Sequence, residues 1–448
     1  MSQKGKFSNW LKTSITARML VVGLLIVALL LPLSFVQSLI YERSFRQQEV
    51  VAEINNKWGE AVVFSGPILQ IPYKTYVTEQ VYDQATKETS TVTRTVVKKV
   101  FFLPATLDYK AQVTTKPLQR SIYETAVYSS EITTSGNFAD IDFSLFDIPE
   151  EDVLWDKATL LLKTSNLKGI KSNLEIQLDD QVLAVSPIHS SSLMHSIESQ
   201  PIKDLQRLTE AAIEFNFSFK INGSESLQFV PLGKDTKAAV ISNWDSPSFN
   251  GHFLPNDETK EISANGFKAD WTIPQLSRKF EQQFLNSLPD LSEAAFGVKL
   301  VIPVDHYTQS ERSSKYGFLV IGLTLLVFLL IQIVSKVYIH PFQYLLIGLA
   351  LVLFYTLLVS ISEHQNFNMA YLISGTATVG LVSLFAKAVL KSVKFGLLIL
   401  GSMSALYGFI FTIIQLESYA LLVGSVGLFL ILAIIMFVTR KIDWSNES

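Results

Sequence analysis

Residues 19–40 read MLVVGLLIVALLLPLSFVQSLI, from Met19 to Ile40 without one charged side chain. An α-helix needs about 20 apolar residues to cross a hydrocarbon core about 30 Å thick, and this run supplies them. A cleaved signal peptide has a shorter apolar region, of about 7–15 residues, and ends in a small-x-small site. No such site follows near 38–46, so the run reads as an uncleaved anchor. Downstream comes a polar stretch, 41–315, and then five more apolar segments at 316–334, 342–360, 369–387, 395–414 and 420–438. The fold class this predicts is a membrane protein of the α+β type. It has one N-terminal transmembrane helix, a large mainly antiparallel β domain, and a five-helix C-terminal transmembrane bundle, flanked by tails at 1–18 and 439–448.

The chain has 448 residues, 48% of them hydrophobic, and a mean hydropathy of +0.30. A net charge of −3 gives no electrostatic footprint for nucleic acid. Without cysteine, disulfides, thiolate nucleophiles and Cys-ligated metal sites are excluded.

Lys and Arg in short loops set membrane orientation. Lys4, Lys6, Lys12 and Arg18 precede the first span. Lys336 lies between spans two and three, Lys387, Lys391 and Lys394 between four and five, and Arg440 and Lys441 after the sixth. The alternate short loops, 362–367 and 415–419, hold Glu363, His364 and Glu417 but no Lys or Arg. Both termini are therefore expected in the cytoplasm and the large domain outside it. Arg43, Arg46, Arg312 and Lys315 flank that domain on the wrong side for the rule, which long translocated domains obey poorly.

Val50, Val51, Ile54 and Trp58 recur at helical spacing, so the anchor is expected to continue as a stem before Gly59. Strand signals follow at 91–97, 122–134, 159–163, 174–178 and 298–304. Residues 215–221, FNFSFKI, alternate strictly, and Asn222-Gly223 after them predicts a hairpin turn. Gly233-Lys234-Asp235, Asn250-Gly251 and Asn265-Gly266 predict further turns. Short helices are expected near 204–212 and 274–288, and the β domain could divide into two sandwiches.

Sites of chemistry are sparse. His189, His195, His252 and His306 stand in no metal-binding frame, and the serines Ser190, Ser191 and Ser192 beside two of them define no triad. Asp179-Asp180 and Glu150-Glu151-Asp152 read as solvated turns. No GxSxG, Walker A or GxGxxG occurs. Hence no catalytic, cofactor-binding or metal site is assigned. No ionisable residue lies deep in a span, which argues against a proton-coupled transporter. Gly380, Gly401, Gly424 and Gly427, with Ser374, Ser402 and Ser425, read as small residues at helix contacts. His340-Pro341 sits in one loop and Glu363-His364 in another, the latter able to sense pH or bind a partner.

Several blocks carry a likeness: 65–72 (SGPILQIP), 231–233 with 246–255, 303–317, 340–349 (HPFQYLLIGL), 362–364 (SEH) and 439–444 (TRKIDW). In these the chain resembles the CreD family of bacterial inner membrane proteins. The stretch 81–95 is less typical. The resemblance implies a Gram-negative inner membrane protein tied to cell-envelope integrity, envelope stress and a two-component regulon; it supplies no catalytic residues.

Glu311, Arg312, Glu363, His364 and Glu417 all fall near the expected outer membrane face. They are expected to form a polar collar fixing the domain on the bundle. The leading functional expectation is non-enzymatic binding through the periplasmic domain. The alternative is an enzyme acting on lipid or envelope glycan through Glu363 and His364, with a lipid or drug transporter third. Expected partners are the lipid bilayer and a periplasmic, lipid or cell-wall component, with no nucleic acid and no cofactor.

Overall fold

The computed structural model describes residues 14–82, 89–139, 141–189, 194–208, 211–301, 306–335, 337–416 and 419–440. Lys4, Lys6, Lys12, Ser190–Ser192, Lys336, Glu417 and the block 441–444 lie outside them. The chain divides into two compact units, one spanning Val50–Pro303 and the other combining the segments before and after it.

The first helix, α1 (Ile15–Trp58), runs through the anchor and the expected stem without a break. Its 44 residues give a length of about 66 Å at 1.5 Å each. Ile54 and Asn55 near its end are buried, and Trp58 Nε1 donates to the Tyr128 carbonyl at 3.1 Å. Gly59 then ends the helix with a φ of +153°, where a Cβ would meet the Asn222 carbonyl oxygen.

The unit Val50–Pro303 is mainly β. Its first strands are β1 (Val62–Tyr82), β2 (Thr89–Phe102), β3 (Thr106–Arg120), β4 (Tyr123–Phe138) and β5 (Thr159–Thr164). Next come β6 (Glu175–Leu178), β7 (Gln181–Ile188) and β8 (His195–Ser199), a single helical turn α2 (Leu205–Leu208), and β9 (Ile213–Ser224). There follow β10 (Ser226–Phe229), β11 (Asp235–Ser242), β12 (Pro247–Gly251) and β13 (Glu261–Ser263). The last are β14 (Gly266–Pro274), β15 (Gln283–Leu285) and β16 (Phe296–Leu300). Pairing runs β12-β16-β10-β1-β5-β8-β7-β6-β9-β4-β3-β11-β14-β13, with β2 on β1 and β15 on β2. The described pairings are antiparallel except β1 with β10 and β3 with β11.

The unit is one sandwich rather than two. Strand β7 joins the layers by pairing with β6 on one side and β8 on the other, and a single apolar cluster fills the space between. Phe64 of β1 meets Tyr109 of β3 at 6.2 Å and Phe219 of β9 at 5.0 Å between ring centroids. The alternation of 215–221 is borne out: Phe215, Phe217, Phe219 and Ile221 are buried and the residues between them are exposed.

The expected hairpin at Asn222-Gly223 is not there. Both residues continue β9, opposite Ser129 and Tyr128 of β4. Gly223 is required for a different reason: a Cβ there would lie 2.3 Å from the Tyr128 hydroxyl. Asn265 does end in a tight turn, joining β13 to β14 at Ser263 and Gly266. The helix expected at 274–288 is instead a 3-10 turn, Gln275–Ser277, followed by strand β15. Edge pairing with β2 draws that segment out of helical geometry.

The other unit adds α3 (His306–Lys315), α4 (Gly317–Ser335), α5 (Pro341–Ser362), α6 (Phe367–Leu390), α7 (Val393–Gln415) and α8 (Ala420–Thr439). Among the described residues, helices α1 and α4–α8 are the six long and apolar enough to span a membrane, and the last five match the expected segments. Gly348 of α5 receives Leu29 of α1, whose Cδ1 would be 2.0 Å from a Cβ at that position. Gly380 and Gly401 face open space, so they are not the contact residues their size predicts.

Candidate functional site

Two places in the described residues gather polar chemistry, one in each unit. The first is built on α3, a helix with no apolar face. Its sequence HYTQSERSSK would read as a loop, yet Tyr307, Ser310, Ser313 and Ser314 are buried. Serine at these positions presents almost no bulk, so the helix packs closely on α4–α7. Gln37 of α1 donates to the Ser314 carbonyl at 3.0 Å.

Glu363 closes α5 as its C-cap. Arg43 Nη1 of α1 stands 3.6 Å from Glu363 Oε1, and the Tyr307 hydroxyl donates to the same oxygen at 3.1 Å. One carboxylate thus ties three helices together. Arg43, set aside in the sequence as a violation of the charge rule, has its charge answered here.

The other expected collar residues divide. Glu311 pairs with Lys315 one turn along α3, at 2.9 Å. Arg312 is half-buried on the same helix. His364 is exposed, and no described hydrogen bond or ion pair joins its ring to Glu363. Glu417 is outside the described residues. Sequence reasoning missed Arg43, Gln37, Tyr307 and the buried serines; the spacing of Ser310, Ser313 and Ser314 was the available signal. His340 is structural: its Nδ1 accepts from Phe342 N at 3.2 Å while Gln343 Oε1 accepts from His340 N at 2.9 Å, a capping box that starts α5.

The opposite end of this unit is marked by Arg18, which lies with Tyr338, Pro341 and Tyr344. Arg18 and Arg43 therefore flank the apolar stretch of α1, the first beside the start of α5 and the second beside its end.

The second place is a polar groove in the β unit. Two adjoining cavities, of about 470 and 430 Å³, share Thr106, Ser135 and Gly136 as a common wall. One continues over Asn137, Gln177, Asp179, Glu214 and Asn216. The other continues over Asp108, Asp235, Lys237 and Thr272. Asp179 Oδ1 accepts from Glu214 N at 2.9 Å, and Asp108 is 3.3 Å from Lys110. The lining is rich in carboxylate, amide and hydroxyl groups, which suits an uncharged, hydroxyl-bearing ligand or a cationic one better than an anion. Among the described residues no three His, Asp or Glu side chains come together as metal ligands.

The fold and these contacts define a class: a multi-pass membrane protein with an N-terminal span, an inserted mainly-β domain and a five-helix C-terminal group. Within that class, this chain belongs to the CreD family, whose model, described as inner membrane protein CreD, matches residues 14–445. It is similar to the inner membrane protein CreD of Escherichia coli (strain K12), with 28% identity over 426 residues, covering 94% of this chain and 91% of that protein. The resemblance read from the sequence is thereby borne out, and the six apolar helices fit a multi-pass inner membrane protein.

Proposed function

We propose that this protein supports the integrity of the bacterial envelope, and its response to stress, by non-enzymatic binding through an outward-facing β domain. The observation that carries this reading is the polar groove around Thr106, Ser135 and Gly136, a recess wide enough for a ligand and lined by hydrogen-bonding groups. The ligand class it favours is a periplasmic or cell-wall component rich in hydroxyl groups. Support for the outward orientation comes from Arg18 and Lys394, which fall with the start of α5 and of α7, and from the loop at Glu363, which carries no Lys or Arg.

The competing reading, an enzyme using Glu363 and His364, is weakened by geometry. Glu363 is engaged by Arg43 and Tyr307, and His364 is not joined to it. His364→Ala separates the two: envelope function at normal expression survives under the binding reading and fails under the enzymatic one. Crosslinking in living cells from probes at Asn216 and Thr272 tests the binding reading itself. Recovery of one envelope component, lost on Glu214→Ala, is expected; crosslinks indistinguishable from those of a probe at exposed Leu276 would overturn it.

A further inference from the structure

Helices α4, α7 and α8 line an open cleft of about 440 Å³. Met403, Ala405 and Leu406 of α7 face Val327 of α4 and Ile431 of α8 across it. Its origin is a wedge. The Phe409 ring lies so close to Gly427 that a Cβ there would be 2.0 Å from it, so α8 rests on α7 at this point, and no residue of α8 is buried.

The wall carries no charge. Of its two hydroxyls, Ser402 donates to the Ile399 carbonyl at 3.1 Å. The other, on Thr324, is buried on a residue 2% exposed and has no partner. Side chains lining an unfilled apolar recess forfeit dispersion contacts on that side, so an occupant that matches the wall is favoured. Water does not fill it, because a buried water needs two to four polar partners. A polar ligand would find one hydroxyl and otherwise hydrocarbon. What surrounds membrane-spanning helices, and matches this wall, is lipid chain.

We propose that the cleft between α4, α7 and α8 is a binding site for one acyl chain of a bilayer phospholipid. The chain lies over Ala405 and Met403, between Val327 and Ile431, and completes the packing that α8 lacks. Thr324 is incidental to it, since a hydrocarbon chain offers no acceptor.

The full-length protein, reconstituted in vesicles of phosphatidylethanolamine and phosphatidylglycerol, tests this with a phospholipid bearing a diazirine on its acyl chain. Labelling of the cleft residues is expected to exceed, several-fold, that at Leu381 and Leu384, which are exposed on α6. Ala405→Phe and, independently, Ser402→Leu fill the cleft and should bring its labelling down to the Leu381 level while Leu381 itself labels as before. Thr324→Val should change nothing. Cleft labelling equal to that at Leu381 in the unsubstituted protein would mean ordinary bilayer contact and overturn the proposal. Loss of labelling on Thr324→Val would also overturn it, by showing a polar occupant.

Discussion

Arg43 on α1 and Glu363 at the end of α5 stand 3.6 Å apart, with the Tyr307 hydroxyl of α3 on the same carboxylate oxygen. Arg43 is more than a third exposed, so solvent screens the pair and limits it to about 0.2–1 kcal/mol. A double-mutant cycle with Arg43→Ala and Glu363→Ala, read by unfolding in detergent, should return a coupling of about that size. Strict additivity would mean that the pair contributes nothing.

Gly223 makes a sharper prediction, because its role is steric rather than conformational. Gly223→Ala drives a methyl group into the Tyr128 hydroxyl, which donates to the Ser226 carbonyl at 2.8 Å. Overpacking of this kind costs about 1–3 kcal/mol. The ring Cζ would be as close, at 2.4 Å, so only removal of the ring makes room, and Gly223→Ala with Tyr128→Ala should cost less than the two changes added together. A turn glycine would show no such rescue.

These two sites mark what was legible in the sequence and what was not. The alternation of Phe215, Phe217 and Phe219 is local, and it gave strand β9 and its buried face directly. Asn222-Gly223 is also local but was misread, since its meaning depends on Tyr128 of β4, nearly a hundred residues away. The six spans could be read because hydrocarbon thickness imposes their length. Helix α3 could not, because burial of a serine face leaves no apolar period. Of the residues expected to form a collar, Glu363 meets Arg43 and Tyr307, which come from distant segments that no spacing rule connects.

Acid should act on the junction of α1 with β3 and β4 before it reaches the apolar core. Hydrogen bonds from Arg120 and Lys57 hold the Glu53 carboxyl down at about 2, against an ordinary 4.5. A carboxyl held below its unfolded value binds its proton later in the folded state. Its contribution is therefore complete above about 4.5 and is lost as pH falls through about 2. The stability difference between the parent and Glu53→Gln should stay level from neutral pH to about 4.5 and shrink below it. A difference that shrinks between pH 7 and 5 would point to another group.

We propose that the β domain faces away from the cytoplasm, and that the loop at Glu363 does so too. The absence of native cysteine makes single-cysteine labelling a direct measurement of it. In intact spheroplasts, a membrane-impermeant maleimide should react with Leu276→Cys, whose parent side chain is fully exposed on the β domain, and with Gln365→Cys beside Glu363. It should react with Lys394→Cys, at the start of α7, only after the membrane is permeabilised. Labelling of Lys394→Cys in intact spheroplasts, with Leu276→Cys and Gln365→Cys protected, would contradict this orientation.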